Sequence, residues 1–417
     1  MKAIRFNASI PRYAFTLAAG RLWQPAYFKG PFCTTYMDEL PEPKPVNEDW
    51  VKVRTIYGGV CGSDINLIFL HDSPYSEPFT TMPLTIGHEN VGVIAEAGSG
   101  VDGYSVGDRV VVDPMLPCAT REIDPPCENC ARGDYSQCLS MREGSLPPGF
   151  YTGFTGVTGG SWSEYFIAHK SQLLRVPDTM TDEEALILEA FTVPLHAVMR
   201  NLPEPGQTAL VYGCGIIGML AVASLKAIAP NCRVIVIARY PFQAEVARGY
   251  GADEIIMQRE VDDIYGEVAR LTGAQVVKPM IGGRYLNGGP DVVLECVGSP
   301  GTLDDSLRMT RSGGTVMLIG LVSFAPRIDW TPIWFKELKV TGSLCSSVDT
   351  YDGRTMKTFE WARDLVTSGA VKVDHLLTHV WKLEEYELMI QTALTKGDTG
   401  CIKQAFGFQE GKPVGRL

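Results

Sequence analysis

The sequence contains no uninterrupted apolar run of about eighteen residues, so it predicts no membrane-spanning helix. Its N-terminal segment also lacks the basic region, the continuous apolar stretch and the small-residue cleavage site of a secretory leader. Basic residues are fewer than acidic ones, since the chain has 37 Lys and Arg and 48 Asp and Glu, which gives a formal charge of -11. Such a chain has no electrostatic attraction to nucleic acid or anionic lipid. We therefore expect a cytoplasmic protein with neither nucleic acid nor a membrane as partner.

Cysteine is not scarce, but its distribution argues against a disulfide framework. The chain has 11 cysteines among 417 residues, an odd number in a sequence long enough to bury at least one large core. Several of them are clustered, and clustered thiols in a reducing compartment are better explained by metal ligation. We therefore expect a globular protein of two domains that carries a cysteine-rich metal site.

The sequence changes character near residue 190. The earlier part is rich in Gly, Pro and short β-branched runs, which predicts short strands joined by loops. From about residue 208, apolar strands alternate with helical segments, and this alternation predicts a parallel sheet covered on both faces. The predicted strands are ALVYG at 209–213, RVIVIA at 233–238, DEIIM at 253–257, DVVLECVG at 291–298 and TVMLIG at 315–320. The fold class is therefore α/β, with a β-rich part and a doubly wound parallel sheet.

A glycine-rich turn follows the first of these strands. Gly213, Gly215 and Gly218 form G-x-G-x-x-G, with Ile216 and Ile217 between the last two, at the start of a helical stretch. The first glycine permits a tight turn, the second lets backbone approach a pyrophosphate, and the third allows close helix–strand packing. The same pattern without a ligand would be only a turn. Its strand–helix–strand context favours dinucleotide binding at these five positions.

The end of the second strand bears on the choice of cofactor. An acidic residue there accepts hydrogen bonds from the ribose of NAD, whereas RVIVIA is followed by Arg239 and Tyr240. A guanidinium favours the 2′-phosphate of NADP through charge-assisted hydrogen bonds. We therefore favour NADP over NAD. Two alternatives remain open, namely that Arg239 is a solvated loop charge or that it stacks on adenine in an enzyme that uses NAD.

A cluster of thiols in the β-rich part predicts a closed zinc site. Cys127, Cys130 and Cys138 lie in CENCARGDYSQC, and Cys118 precedes them by eight intervening residues. Four thiolates suit a tetrahedral structural zinc, which would fix a loop too polar to fold around its own core. Asp124 stands nearer than Cys118 and is the other candidate for the fourth ligand. We favour Cys118 because thiolate is the softer ligand.

A second set of residues predicts a reactive metal. Cys61 lies in GVCGSD, His88 and Glu89 lie in IGHENVG, and Glu189 lies in ILEAFTVPLHAV. Thiolate, neutral imidazole and carboxylate are the ligand types of a catalytic zinc that keeps one position open. An oxygen bound at that position is polarised, which eases hydride exchange between an alcohol and a nicotinamide. Each residue alone has an ordinary structural explanation, and only their joint appearance upstream of a dinucleotide unit indicates chemistry.

In this order the four stretches resemble the zinc-containing medium-chain dehydrogenase/reductase family of alcohol dehydrogenases, particularly its polyol and threonine dehydrogenase-like branch. The resemblance covers nearly the whole chain. It implies a GroES-like catalytic domain of residues 1–190 and 345–417, a Rossmann domain of residues 191–344, and an active site in the cleft between them. It also implies a small alcohol, polyol or carbonyl substrate and a homodimer or homotetramer.

At matching positions the resemblance assigns Cys61 and His88 as ligands of a catalytic zinc, with Glu89 or Glu189 as the carboxylate ligand. The sequence does not separate these two carboxylates. The four-cysteine cluster then holds a second, structural zinc, so that each chain binds two zinc ions and one nicotinamide cofactor.

Three further positions follow from the same resemblance. Ser63 matches the hydroxyl beside the metal that passes on the substrate proton, and Asp64 matches the residue that orients the ligating histidine. Without a metal, both would simply form the turn after Gly62. Asn66 departs from the family, since many relatives have a relay histidine there, so the proton must leave by water or by ribose hydroxyls.

Two other functions remain open at this point. A zinc-free quinone or enoyl reductase has the same scaffold, although it would have no need of Cys61 together with His88. A non-catalytic nucleotide-binding protein would use its zinc sites only for folding. Metal analysis and cofactor turnover distinguish these possibilities from a zinc alcohol or polyol dehydrogenase.

Overall fold

The computed structural model of the protein describes residues 1–409 and 415–416. The strands, in chain order, are β1 (Lys2–Phe6), β2 (Thr35–Glu39), β3 (Trp50–Gly59), β4 (Leu84–Thr85), β5 (Asn90–Ala97), β6 (Arg109–Val112), β7 (Tyr165–His169), β8 (Leu173–Arg175), β9 (Thr208–Tyr212), β10 (Arg233–Ala238), β11 (Glu254–Met257), β12 (Gln275–Val277), β13 (Tyr285–Asn287), β14 (Val292–Glu295), β15 (Thr315–Leu318), β16 (Lys339–Gly342), β17 (Val348–Tyr351), β18 (Arg354–Lys357), β19 (Leu377–Trp381), β20 (Lys403–Gly407) and β21 (Gly415–Arg416).

The α-helices are α1 (Ile10–Gly20), α2 (Gly62–Ile68), α3 (Glu128–Ala131), α4 (Asp182–Arg200), α5 (Ile216–Ile228), α6 (Pro241–Gly249), α7 (Ile264–Thr272), α8 (Pro300–Met309), α9 (Thr331–Phe335), α10 (Thr358–Thr367), α11 (Tyr386–Leu394) and α12 (Lys396–Thr399). Short 3₁₀ helices lie at Gln24–Tyr27, Pro74–Phe79, Cys118–Arg121, Tyr135–Gln137, Lys170–Gln172, Asp374–Leu376 and Leu383–Glu385. Within the described part of the chain, no helix has the length and apolar character needed to cross a membrane.

The predicted doubly wound parallel sheet is confirmed. Its six strands lie in the order β11, β10, β9, β14, β15, β16, and every neighbouring pair is parallel. All five strands predicted from the sequence are present, and β16 is an additional edge strand. The order reverses between β9 and β14, and ligands of such sheets bind outside the carboxyl ends of the strands at this switch point. The glycine turn at Gly213 follows β9 directly, so it lies at that crevice.

The β-rich part forms a larger sheet that includes strands from both ends of the chain. Its order is β21, β19, β20, β3, β5, β6, β8, and β7 pairs with the N-terminal half of β3. Strand β20 pairs antiparallel with the end of β3, where Ala405 lies opposite Gly59. The C-terminal segment therefore lies next to the end of β3, where the GVCGSD stretch begins.

Helix α4 connects the two sheets. Thr181 caps it by accepting the backbone N–H of Glu184 at 3.1 Å, while the Glu184 carboxylate accepts the N–H of Thr181 at 2.8 Å. The helix is buried from Ala185 to Thr192 and packs against α5, which places Glu189 in the protein interior. The predicted domain boundary between residues 190 and 191 falls inside this helix, so the exact division of the chain remains a prediction.

Candidate active site

Three potential metal ligands from two separate segments meet at one point. The thiol of Cys61, an imidazole nitrogen of His88 and a carboxylate oxygen of Glu89 all lie within 4.8 Å of one another. Cys61 is the residue before α2, and His88 and Glu89 directly precede β5. The antiparallel pairing of β3 with β5, in which Gly58 lies opposite Asn90, brings the two segments together. His88 and Glu89 are buried, whereas Cys61 is partly exposed.

Asp64 and Ser63 flank this site as the sequence predicted. One carboxylate oxygen of Asp64 accepts the backbone N–H of Cys61 at 2.8 Å, and the other lies 3.4 Å from Nδ1 of His88. Asp64 thus faces the ring nitrogen opposite Nε2, whose neighbour at 3.5 Å is Oγ of Ser63. A histidine whose Nδ1 faces a carboxylate presents Nε2 to a metal. The hydroxyl of Ser63 therefore lies beside the position where a bound substrate oxygen would be.

The electrostatics of His88 fit a metal ligand. Burial opposes a charge on the ring, but the Asp64 carboxylate outweighs it and raises the pKa of His88 well above its ordinary value. A protonated imidazole cannot bind a metal through Nε2, so metal binding would displace a proton from this ring. The same carboxylate that favours the proton would then stabilise a cation on the other side of the ring.

The two candidate carboxylates have different surroundings. Glu89 belongs to the group of three ligands and also forms a buried ion pair with Lys403, whose side chain is 2% exposed. Glu189 lies outside that group, and one of its oxygens accepts the thiol of Cys345 at 3.5 Å. Burial, reinforced by the nearby Glu89 carboxylate, raises the pKa of Glu189 to about 7. The geometry thus groups Glu89 with Cys61 and His88 and leaves Glu189 outside that group.

Aromatic side chains border the same site. The rings of Tyr151 and Phe154 lie 5.8 and 6.0 Å from the ring of His88, and Phe150 stacks at an angle on both. Tyr151 and Phe154 are almost fully buried. They form an apolar wall that keeps water from one side of the histidine, which strengthens electrostatic interactions at the metal position.

The four cysteines of the second cluster also meet, and we refer to residues 118–140 as the cysteine lobe. The sulfurs of Cys118, Cys127, Cys130 and Cys138 all lie within 4.8 Å of one another, and Asp124 is not part of this group among the described residues. Those of Cys118 and Cys138 are 3.6 Å apart, too far for a disulfide. Four sulfurs at about 2.3 Å from a tetrahedral zinc would be about 3.8 Å apart, so the donor set fits zinc.

Backbone N–H groups of the lobe point at these sulfurs. The N–H of Cys127 donates to Cys118 at 3.3 Å, that of Leu139 to Cys127 at 3.4 Å, and that of Ser140 to Cys138 at 3.4 Å. Burial disfavours a thiolate at Cys127, but hydrogen bonds from the backbone of Cys130 and Leu139 and from the neighbouring thiols outweigh it and lower its pKa to about 6. Burial raises the pKa of Cys138 to about 11 and also raises that of Cys130. The backbone donors stabilise thiolates, which are the form that binds a metal.

The glycine turn has the geometry that the sequence predicted. Gly213 adopts a φ of +95°, which favours glycine, and a side chain at Gly218 would collide with the backbone oxygen of Gly213 at 1.9 Å. Gly215, the residue before α5, has open space where its side chain would be. Ile216 and Ile217 are the first two residues of that helix, so their N–H groups have no partner within it. Such N–H groups can bind a pyrophosphate.

The adenosine end of this crevice is basic. Arg239 follows β10 directly and is exposed, with its guanidinium 5.5 Å from the centre of the Tyr240 ring. A second guanidinium, that of Arg259 after β11, lies 4.7 Å from the same ring. No acidic residue lies between Ala238 and Tyr240. Two guanidinium groups therefore converge where the sequence indicated one.

Sequence reasoning missed two residues of the Cys61 site. Lys403 reaches Glu89 because β20 pairs with β3, and the two residues are 314 positions apart in the chain. Cys345 reaches Glu189 from the segment that leaves β16. Neither residue belongs to a local motif, and the only available signal was a single lysine inside the apolar C-terminal strand.

Comparison with known proteins gives two matching family models. The model described as the alcohol dehydrogenase GroES-like domain matches residues 47–178. The model described as the zinc-binding dehydrogenase matches residues 217–361. Together they span the β-rich part and most of the parallel sheet, and they agree with the predicted fold class.

Individual relatives give the same result. The chain is 30% identical over 368 residues to sorbitol dehydrogenase of Bacillus subtilis (strain 168), covering 88% of this chain and 92% of that protein. It is 29% identical over 359 residues to L-idonate 5-dehydrogenase of Vitis vinifera, covering 85% and 87%. A chain from Sinorhizobium meliloti 1021, described as a zinc-binding dehydrogenase and solved with NADP, superposes with a TM-score of 0.69 at 25% identity, covering 90% and 96%.

These likenesses confirm the resemblance inferred from the motifs. They agree with the order of the two parts along the chain, since the GroES-like model matches the β-rich part and the zinc-binding dehydrogenase model follows it. The chain belongs to the zinc-containing alcohol dehydrogenase family of medium-chain dehydrogenases, in its polyol dehydrogenase branch.

Proposed function

We propose that the protein catalyses reversible hydride transfer between NADP and a small alcohol or polyol, with a catalytic zinc held by Cys61, His88 and Glu89. The observation that carries this proposal is the convergence of thiol, imidazole and carboxylate within 4.8 Å, next to the hydroxyl of Ser63. Sorbitol and L-idonate dehydrogenases among the relatives support a polyhydroxylated substrate or its carbonyl product.

Bound zinc would polarise the substrate oxygen, and a bound nicotinamide would exchange the hydride. The chain's own residues position and deprotonate the substrate. Ser63 Oγ accepts the substrate's hydroxyl proton, and Asp64 holds the His88 ring with Nε2 facing the site. Asn66 has no group that titrates near neutrality, so the proton leaves Ser63 through water or a ribose hydroxyl. Tyr151 and Phe154 exclude water from the far side of the histidine.

Glu189 lies next to this group of residues. Its carboxyl lies beside Glu89 and Lys403 but outside the three-ligand group, which supports Glu89 as the ligand and Glu189 as a neighbour. We assign Gly213, Gly215, Ile216, Ile217 and Gly218 to the pyrophosphate. A structural zinc in the cysteine lobe, held by Cys118 rather than Asp124, is the second metal of the chain.

NADP is the favoured cofactor because of the basic pair after β10 and β11. Arg239 and Arg259 both lie over the Tyr240 ring, and guanidinium groups bind phosphate with two parallel hydrogen bonds. Arg239→Ser should raise the KM for NADP by about tenfold or more and leave the KM for NAD nearly unchanged. Equal effects on both cofactors would refute the assignment.

The assembly and compartment proposed from the sequence have structural support. Strand β16 forms one edge of the parallel sheet, and Trp334 and Phe335, just before it, are 70% and 67% exposed. An exposed edge with aromatic neighbours favours pairing with a second copy, so we propose a homodimer or homotetramer. None of the eleven cysteines, all of which lie in the described part of the chain, forms a disulfide, which suits the cytoplasm. Light scattering that gives a monomeric mass would refute the assembly.

The test of the function is Cys61→Ala in the metal-replete protein. It should abolish turnover with a panel of polyols and remove one zinc per chain, because the reactive metal loses its thiolate. NADP binding should persist, since the glycine turn belongs to the other sheet. Cys232→Ala, which removes a buried thiol of the parallel-sheet region, is the matched control and should retain full activity. Unchanged turnover in Cys61→Ala would exclude the proposed metal site.

A zinc-free quinone or enoyl reductase on the same scaffold is the second candidate. It predicts turnover without zinc and no effect of Cys61→Ala. A non-catalytic nucleotide-binding protein predicts NADP binding without turnover of any alcohol in the metal-replete chain.

A further inference from the structure

The segment that leaves the parallel sheet touches the Cys61 site. After β16 the chain passes through residues 343–347 and enters β17, and we call residues 343–349 the return segment. Within it, Cys345 is 3% exposed and donates its thiol to Oε1 of Glu189 at 3.5 Å. Its φ of +51° lies in the left-handed region that a non-glycine residue rarely adopts. Such a conformation persists only when the surroundings hold it in place.

The cysteine lobe supplies much of that surrounding structure. The hydroxyls of Ser136 and Ser347 are hydrogen-bonded at 2.9 Å, and the N–H of Ser136 donates to Ser347 at 3.1 Å. The backbone N–H of Val348 donates to the oxygen of Gly133 at 3.0 Å. Ser136 and Ser347 are both buried. Residues 133–136, which lie between the third and fourth thiols of the lobe, therefore run alongside the return segment.

A buried carboxylate connects the same two segments. Asp113 accepts the phenol of Tyr135 at 2.7 Å and the hydroxyl of Ser346, the residue after Cys345, at 3.2 Å. Asp113 is 4% exposed, so neither bond is replaced by water. Loss of either donor would leave a buried carboxylate short of a partner, which is costly.

Helix α4 also contacts both the cysteine lobe and the return segment. Arg200, its last residue, donates to Asp134 of the lobe and to Asp349 of the return segment, each at 2.7 Å. The same helix carries Glu189 three turns earlier. The lobe therefore contacts the return segment directly, through Asp113 and through Arg200, at residues 346–349, which follow Cys345 in the chain.

We propose that the cysteine lobe is a positioning element for the Cys61 site: residues 133–136 hold the return segment so that the thiol of Cys345 orients the carboxylate of Glu189. This inference rests on the proposed function, since it assumes that Glu189 acts beside a catalytic metal. The thiols of the lobe and their metal would fix residues 133–136, so the second zinc serves catalysis as well as folding. Cys345 is a positioning residue and does not touch substrate.

The experiment uses the full-length holoprotein with Co²⁺ in place of zinc at the Cys61 site, whose absorption bands report the metal's surroundings. The Cys61→Ala protein identifies these bands by their loss. Cys345→Ala should shift them and lower kcat by about tenfold or more, with KM for NADP unchanged, as expected for loss of an outer-shell partner. Cys345→Ser keeps a donor and should recover most of kcat and the original bands.

The lobe is tested with Tyr135→Phe and Ser136→Ala, each of which removes one hydroxyl that faces Asp113 or the return segment. Both should shift the cobalt bands in the same direction as Cys345→Ala, by smaller amounts. Thr120→Val is the matched control, because its hydroxyl donates to the backbone oxygen of Pro117, just before the lobe, at 2.8 Å and not to Asp113 or the return segment. It should leave the bands and kcat unchanged.

Unchanged bands and kcat in Cys345→Ala with normal metal content would overturn the inference while the proposed function stands. So would a lobe whose variants lower only the melting temperature, equally for Ser136→Ala and Thr120→Val, since its role would then be structural. If Cys345→Ala does not fold, the cobalt bands and kcat of Cys345→Ser and Ser136→Ala still test the inference. A wild-type protein that binds no metal at Cys61, or turns over no alcohol, would refute the proposed function and the inference with it.

Discussion

Replacing Lys403 by Met should destabilise the protein strongly. Lys403 and Glu89 are 2% and 1% exposed, so solvent does not screen their ion pair. Removing one partner of a buried pair costs about 3–5 kcal/mol, because the other charge stays buried without compensation.

The loss of unfolding free energy in Lys403→Met should therefore be about 3–5 kcal/mol when the Cys61 site holds no metal, since a bound divalent cation would compensate the charge of Glu89. Packing contributes little to this loss, since Met retains most of the apolar volume of Lys.

Urea unfolding of the wild type and variant with the Cys61 site free of zinc, followed by circular dichroism at pH 7, measures this loss. Lys170→Met is the matched control, because its ion pair with Asp49 is exposed and should matter little. A loss below about 1 kcal/mol in Lys403→Met would refute the reasoning as a whole.

Two further predictions concern the cysteine lobe and the residues behind it. Cys130→Ala should remove one zinc per chain and lower the melting temperature, because a structural zinc contributes folding energy; normal melting with one zinc fewer, by metal analysis and calorimetry, would contradict this. For Asp349, burial favours the neutral acid, but the bonds from His196, Thr358 and Arg200 outweigh it and hold its pKa below the ordinary 3.8. Its stabilisation is therefore present above pH 3.8 and lost as the pH falls through the lower folded value, so Asp349→Asn should be less stable than wild type at pH 7. That deficit should shrink below about pH 4 in urea titrations, and a deficit that is constant with pH would argue against the ionised form.

Local patterns predicted most of the parallel sheet and both groups of ligands. Strands β9, β10, β11, β14 and β15 are buried apolar runs, and runs of this kind are visible in any sequence. Strand β16 escaped prediction because an edge strand is half exposed and its KVTG sequence has no apolar run. Spacing also located the cysteine lobe, since its four thiols lie within 21 consecutive residues.

The rest of the site depends on contacts between distant segments. Periodicity cannot specify that β20 pairs with β3 and so brings Lys403 to Glu89. Nor can it reveal that Cys345, in a left-handed turn after an unpredicted strand, reaches Glu189. The sequence could not separate Glu89 from Glu189 for the same reason. Both carboxylates fit the chemistry, and only the fold shows which of them lies near Cys61 and His88.

The composition of the Cys61 site argues for a purpose other than stability. Within one buried region the chain places the carboxyls of Asp64, Glu89 and Glu189 beside a thiol, and among the residues that the structure describes only Lys403 is a permanently charged cation there. An apolar core of the same volume would be as stable or more so, since burying charges costs several kcal/mol for each ion. A divalent cation between the thiol, the imidazole and Glu89 removes most of that excess negative charge, whereas a fold without a metal gains nothing from it. The excess of carboxylates is thus explained by the metal ion that they would hold. Lys403 is explained by Glu89, the carboxylate that would interact with both the metal ion and the lysine.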